Sequence, residues 1–145
     1  MTEENKTLVW RLFEEVINTG DLNRADALVD RDFVEHNPAP GQGTGLDGFK
    51  LLMAMLRAAF PDLRITIDEL VAEDDKVSVR LTARGTHEGT FAGVPATGNR
   101  VAWEGISMLR ISEGRIAERW FHADTAGLMR QLGGEAQAPG PPPAD

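Results

Sequence analysis

Leu63-Arg64-Ile65-Thr66-Ile67-Asp68-Glu69-Leu70-Val71, an acidic turn at Asp74-Asp75, and Val77-Ser78-Val79-Arg80-Leu81-Thr82-Ala83 form the stretch whose reading decides the fold. Leu63, Ile65, Ile67, Glu69 and Val71 alternate with Arg64, Thr66, Asp68 and Leu70. Val77, Val79, Leu81 and Ala83 alternate with Ser78, Arg80, Thr82 and Arg84. A period of two predicts strands with one face in the core, and the short turn makes the pair antiparallel. The pattern continues downstream. Val101–Ile111 reads as a long strand, Ser112-Glu113-Gly114 as a hairpin turn, and Arg115–Ala123 as the return strand. A helical turn over about 125–132 closes the ordered chain. Between the strands, Gly85–Gly98 is a loop rich in Gly, Thr and Pro.

Upstream the period lengthens. Leu8, Leu12 and Val16, with Val9, Phe13 and Ile17, place one apolar stripe on a helix over residues 3–19. Gly20 ends it, and Asp21 is placed to cap a short second helix carrying Leu22, Ala25, Leu28 and Val29. Asp32–His36 reads as a short strand closed by Pro38 and Pro40, and Gly41–Gly45 as a loop. A third helix runs from about Leu46 to Phe60, where Pro61 stops it. Three helices followed by four meandering strands is an α+β order. A curved antiparallel sheet wrapped over those helices makes a cone with one open mouth. The domain is expected over 1–132, and 133–145, with four of the eight prolines, as a flexible tail. In strand Val101–Ile111, Trp103 and Leu109 lie on one face and Ile106 and Met108 on the other, so the convex face is expected to be covered by a second copy. The assembly expected is a homodimer or homotetramer.

Composition removes whole classes of chemistry. The 145 residues include no Cys, no Tyr and three His, with a formal net charge of −8. Without Cys there is no thiolate nucleophile and no Cys-ligated zinc or iron–sulfur cluster. Without Tyr no phenol donates a proton. No His-x-x-x-His or His-x-His spacing occurs, so no metal site is expected. The acidic balance argues against a nucleic-acid partner, and no apolar run reaches a membrane span. The polar, acidic start Met1-Thr2-Glu3-Glu4 is unlike a secretory signal, which leaves the cytoplasm as the expected location. Gly41, Gly43 and Gly45 lack the Lys-Ser/Thr of a phosphate loop. Arg57 and Arg64 read as solvated.

Carboxylates and imidazoles remain. Asp124 follows Trp120-Phe121-His122-Ala123 at a strand end. A carboxylate beside aromatics loses hydration and becomes a stronger base. The same residue stands where a helix starting at Thr125 would take its N-cap. One oxygen can cap while the other faces a cavity. His122 shares strand parity with Asp124, Trp120 and Glu118 unless a bulge intervenes, and His87 shares that of Val77, Val79 and Leu81, so His87 should point to the apolar side. His36 and Asn37 close the first strand. His36, Asn37, Met53, Phe60, Phe91, Trp103 and Trp120 are the candidate substrate-binding residues, with Met55 as a further lining residue. Core packing is the competing reading for the apolar ones.

Several segments resemble the SnoaL-like polyketide cyclases, also called ester cyclases. Glu118-x-Trp120-x-x-x-Asp124-x-x-Gly127-Leu128-x-x-Gln131-Leu132-Gly133 resembles the family's C-terminal signature. Phe60-Pro61-Asp62-Leu63 resembles its helix-to-strand junction, Gly85-Thr86-His87-x-Gly89-x-Phe91 its central loop, and Arg110-Ile111-x-x-Gly114-Arg115-Ile116 its last hairpin. The resemblance implies an NTF2-like cone. It implies cofactor-free closure of a ring in a hydrophobic polyketide ester by intramolecular aldol condensation. It assigns the general base to Asp124 and no matched role to His122 or His87, which are catalytic candidates by position alone. The alternatives are another lyase, isomerase or hydrolase on the same cone, or a non-catalytic small-molecule-binding domain. The missing Tyr counts against an isomerase that relies on a Tyr oxyanion donor.

Overall fold

The structure is a computed structural model that describes residues 2–133. The tail expected from residue 133 therefore lies outside the described residues, apart from Gly133. Helix α1 (Thr2–Arg11) runs directly into a π-helical stretch, Leu12–Ile17. Its looser winding shows in the Asn18 N–H, which donates to the Phe13 carbonyl five residues back at 2.8 Å. The extra residue keeps Leu12, Phe13, Val16 and Ile17 all buried. Gly20, at φ +80°, reverses the chain. Asp21 precedes a 3-10 turn (Leu22–Arg24) and α2 (Ala25–Leu28), but its side chain makes no cap bond. Its carbonyl, not its carboxylate, takes the Arg24 N–H, so the capping expected of Asp21 is not made. Strand β1 (Val29–Glu35) and α3 (Gly45–Ala59) follow.

The sheet is completed by β2 (Arg64–Glu73), β3 (Lys76–Thr86), β4 (Arg100–Ser112) and β5 (Arg115–Ala123), with α4 (Thr125–Gln131) last. Its order is β1-β5-β4-β3-β2. The class is α+β, as expected, and four of its strands form the antiparallel meander. β1 departs from the expectation, since it pairs parallel with β5, Glu35 opposite Arg119. The crossover through α3 and the meander returns the chain in the same direction, which permits a parallel neighbour.

A bulge corrects the reading of β2. Ile67 pairs with Leu81, but Glu69 pairs with Arg80, so Asp68 is the extra residue. Beyond it the faces exchange. Leu70 and Ala72 turn toward the core, and Val71 is left 57% exposed. As an edge strand, β2 has unpaired backbone groups, and Asn18 meets them like a peptide. Its Nδ2 donates to the Ile65 carbonyl at 2.9 Å, and its Oδ1 accepts the Ile65 N–H at 2.7 Å. Arg57 is not solvated as expected. Its guanidinium donates to the carbonyls of Ile17, Pro61 and Leu63, tying the end of the first helix to the α3–β2 junction.

The core lies between the concave face of the sheet (Val77, Val79, Leu81, Trp103, Leu109, Ile116) and the helices, with Leu128 and Leu132 of α4 closing one side. On the opposite face Ile106, Met108 and Val34 are 40–54% exposed, on the surface where a second copy was expected. No helix among the described residues is long and apolar enough to cross a membrane.

Candidate active site

A second bulge sets which side chains of β5 enter the cone. Ile111 pairs with Ile116, whereas Arg110 pairs with Glu118, so Ala117 is skipped. Glu118, Trp120 and His122 consequently share the outer face, across from Arg110, Met108 and Ile106. Arg119, Phe121 and Ala123 share the inner one. His36 joins the outer group. Its ring stacks on Trp120, centroids 4.5 Å apart, and its Nε2 lies 2.9 Å from Glu118 Oε1. Arg110 donates to Glu118 Oε2 from Nε at 2.9 Å and from Nη2 at 2.7 Å. The hydrogen bond from His36, then that from Arg110, holds the Glu118 carboxyl below the usual carboxylate range. Asn37 is a backbone clamp, its Oδ1 accepting the Phe121 N–H at 3.0 Å. Thus four of the expected site residues, His36, Asn37, Trp120 and His122, lie together at the outer face or rim rather than inside the cone. The cause is local. Parity along β5 is fixed by the bulge at Ala117, and β1 joins β5 in parallel register.

Asp124 caps α4. Its Oδ1 accepts the Gly127 N–H at 2.9 Å, and its own N–H donates to the Glu104 carbonyl. A Cβ at Gly127 would run into this carboxylate, so the glycine allows the close approach. The carboxylate is exposed rather than dried by aromatics. Trp120 and Phe121 point to opposite faces, and neither covers it. Its Oδ2 has no hydrogen-bond partner among the described residues.

His87 points inward, as its parity predicts, and is fully buried. The Thr97 N–H donates to Nδ1 at 3.2 Å, and the Thr97 hydroxyl lies 3.0 Å from the same nitrogen. That assignment leaves the proton on Nε2, which is buried without a partner. Phe60 stands at the centre of this region, its ring 5.6 Å from His87, 5.4 Å from Phe91 and 5.2 Å from Trp103. Met53 is buried and Met55 is 41% exposed. The structure therefore brings His87, Phe60, Phe91 and Trp103 together as a packed aromatic layer.

Below that layer Asp62 anchors the loop. Its Oδ1 accepts the Thr86 N–H and its Oδ2 the Thr86 hydroxyl, both at 2.7 Å. These two bonds hold its carboxyl below the usual range. Glu118 and Asp62 thus share a pH dependence. A depressed folded value means stabilisation fully present above the unfolded value, roughly pH 4, and lost as pH falls through the folded values. The melting temperature should be flat from neutral pH to about pH 5 and fall below about pH 4. Thermal melts of wild type and Asp62→Asn across that range check this. Asp62→Asn should melt lower at pH 7 and show a shallower acid slope.

The interior of the cone holds a charge pair that the sequence reading did not single out. Arg119 donates from Nε to Glu35 Oε1 and Oε2 at 2.9 and 3.2 Å, and its Nη2 lies 2.7 Å from Oε1. The two side chains are only 8% and 5% exposed. The guanidinium lies over two rings, 5.0 Å from the Phe121 centroid and 5.8 Å from that of Phe49. Ser107 stands opposite Phe121 on the same face, one step from the Leu109–Arg119 pair, and its buried hydroxyl has no partner. Beside this centre a groove of about 620 Å³ runs along β1, bordered by Phe33, Glu35, Gly45 and Leu46. Phe33 packs edge-on against Phe49 at 5.7 Å, so one layer of side chains separates the groove from the guanidinium. The available signal was parity. Phe33 and Glu35 alternate inward, as do Arg119 and Phe121 once the bulge is known. No cluster of metal-ligating side chains occurs among the described residues.

The chain matches the family model of the SnoaL-like polyketide cyclases over residues 7–132. It is similar to the aklanonic acid methyl ester cyclase DauD of Streptomyces sp. (strain C5), at 30% identity, covering 92% of this chain and 88% of that protein. It is 31% identical to the nogalonic acid methyl ester cyclase of Streptomyces nogalater, covering 80% and 88%. Among solved structures it resembles TsrD from Streptomyces laurentii, with a TM-score of 0.85 and 29% identity over 92% of this chain and 98% of that one.

Proposed function

From the premise that the chain belongs to the SnoaL-like polyketide cyclases, we propose that it closes a ring in a hydrophobic polyketide ester by an intramolecular aldol-type condensation run on acid–base chemistry alone. The observation that carries this reading is the match to the family over residues 7–132, together with the similarity to two methyl ester cyclases. A base takes the proton from the carbon between two carbonyls. The enolate carbon attacks the second carbonyl, a C–C bond forms, and the resulting alkoxide takes up a proton. The general base of this proposal is Asp124, acting through Oδ2, while Oδ1 holds the first turn of α4. A proton flanked by two carbonyls is acidic enough for a positioned carboxylate to remove it. His122, two residues earlier on β5, and the buried His87 are the imidazoles available to the proton transfers.

The exposure of Asp124 favours a second reading of the base. Its cap geometry with Gly127 is complete without any catalytic duty, and the carboxylate inside the cone is that of Glu35. One substitution separates the two. Asparagine caps a helix about as well as aspartate, so Asp124→Asn should keep the fold. On an aromatic polyketide methyl ester, a base role predicts a fall in kcat of about 10²–10⁴-fold. A kcat within about threefold of wild type would leave Asp124 as a cap only. Ring closure itself is read by mass-neutral conversion to a product with one fewer ketone or aldehyde carbon in the ¹³C spectrum. An isomerised open-chain product would overturn it.

A further inference from the structure

Asp124 works as a base only if its carboxylate is held where Oδ2 can reach a proton, and the seven residues of α4 are too few to hold a helix by themselves. Strand β5 ends at Ala123, opposite Gly105, so from Glu104 back to Arg100 that edge of β4 has no strand partner among the described residues. Hydrogen bonds from Asp124 and α4 take up the edge instead. The Asp124 N–H donates to the Glu104 carbonyl at 2.9 Å. One rung further, the Gln131 side chain meets Ala102 as a peptide would. Its Oε1 accepts the Ala102 N–H at 2.9 Å, and its Nε2 donates to the Ala102 carbonyl at 2.7 Å. The second Nε2 proton goes to the Gly127 carbonyl at 3.2 Å. Gly127 in turn gives its N–H to Asp124 Oδ1. One amide therefore joins β4 to the first turn of α4 and, through Gly127, to the carboxylate. The Gln131 carbonyl accepts from Asn99 Nδ2 at 3.0 Å, which ties the far end of α4 to the residue before β4.

We infer that Gln131 is the positioning residue of the Asp124 carboxylate. With Gly127 fixed against β4, its N–H holds Oδ1 and leaves Oδ2 in one orientation, without a hydrogen-bond partner among the described residues. The inference rests on the ring-closure reading, with Asp124 as its base, for its place in the reaction, but the hold it asserts can be measured without turnover. A base that drifts by about 1 Å loses on the order of 100-fold in rate. Burial of Leu128, Met129 and Leu132 presses α4 onto the core, but apolar contact is non-directional and does not fix the rotation of the helix. The directional bonds of Gln131 do.

The test uses the full chain and Gln131→Met, which keeps the length of the side chain and removes all three of its hydrogen bonds. Gln131 and Ala102 are both exposed, so water takes up the freed Ala102 groups and the fold should hold. Gln131→Ala serves if it does not. In the folded variant the Gly127 amide should exchange at least about tenfold faster than in wild type, while those of Val77 and Val79 keep their protection. On an aromatic polyketide methyl ester, kcat should fall by about 10–100-fold with KM within about twofold of wild type. A residue that acts through Asp124 matters only while the carboxylate is there. In an Asp124→Asn background the same substitution should therefore lower kcat by no more than about twofold further. Unchanged Gly127 exchange overturns the inference. So does an equal loss of kcat in both backgrounds, or a wild-type kcat in Gln131→Met where Asp124→Asn is slow, and Gln131 is then a staple between helix and sheet. Failure of the ring-closure reading looks different. A wild-type kcat in Asp124→Asn, or no ring-closed product from wild type, sinks that reading, and the Gly127 exchange alone then decides whether Gln131 holds the carboxylate.

Discussion

Replacing either partner of the Glu35–Arg119 pair alone, as Glu35→Leu or Arg119→Met, should lower the melting temperature by about 6–12 °C, whereas the double variant should melt within a few degrees of wild type. Each single change leaves a charge in an environment where its partner was 8% or 5% exposed. An uncompensated buried charge costs roughly 3–5 kcal/mol. The lower end, about 3 kcal/mol, applies here because Glu35 ends the edge strand β1. Removing both charges takes away the desolvation penalty along with the attraction, so the double change is nearly neutral. The singles therefore should not add. A double-mutant cycle should return a coupling of about 6 kcal/mol, the sum of the two single costs, far above the few tenths expected of distant sites. Parallel urea melts are the check. Equal m-values with displaced midpoints would locate the effect in the folded state. A single variant that melts like wild type would mean that water reaches the pair.

The sequence carried the architecture further than the site. Helix faces and alternating strands are written as periods, and those periods placed α1, α3 and the four meander strands within a few residues of where they lie. What the period of two cannot carry is a bulge. One extra residue at Asp68 exposes Val71, and one at Ala117 decides which of Arg119 and Trp120 looks into the cone. Glu118, Trp120 and Asp124 stood out as a motif, and Glu118 and Trp120 do form one cluster with His36, but on the outer face. Arg119 stood between them unnoticed. A charged residue on a strand reads as solvent-facing, and its burial depends on Glu35, 84 positions away and brought opposite by a parallel pairing. Asp124 was legible in the one respect that is local. A cap needs only the residues that follow it, and Thr125–Gly127 are adjacent in the chain. His87 was legible because β3 has no bulge between Val77 and Thr86, so parity holds to its end.

Phe60→Ala should be the most damaging single truncation among the aromatic residues, costing about 3–5 kcal/mol and lowering the melting temperature by about 6–15 °C. Phe60 is fully buried, and its ring meets three others within 5.6 Å. Its Cβ also lies against Gly85, where any side chain would collide with it, so the backbone of β3 has closed onto this residue and cannot collapse further to fill a hole. That is the condition under which the cavity left by truncation stays open and the penalty is high. Phe60→Leu keeps most of the volume and should cost under about 1.5 kcal/mol. The loss should be felt first in the loop that the ring supports. Gly98 N–H donates to the His87 carbonyl and His87 N–H to the Asn99 carbonyl, so these amides should lose hydrogen-exchange protection before those of Val77 and Val79. The same experiment decides what the aromatic layer is for. If Phe60, Phe91 and Trp103 are packing, truncation trades stability for nothing. If they line the substrate chamber, Phe60→Ala should leave the melting temperature near that of wild type and lower KM for a bulkier polyketide ester, because the chamber was already open to a ligand. The ring distances, all within 5.6 Å, favour the first outcome.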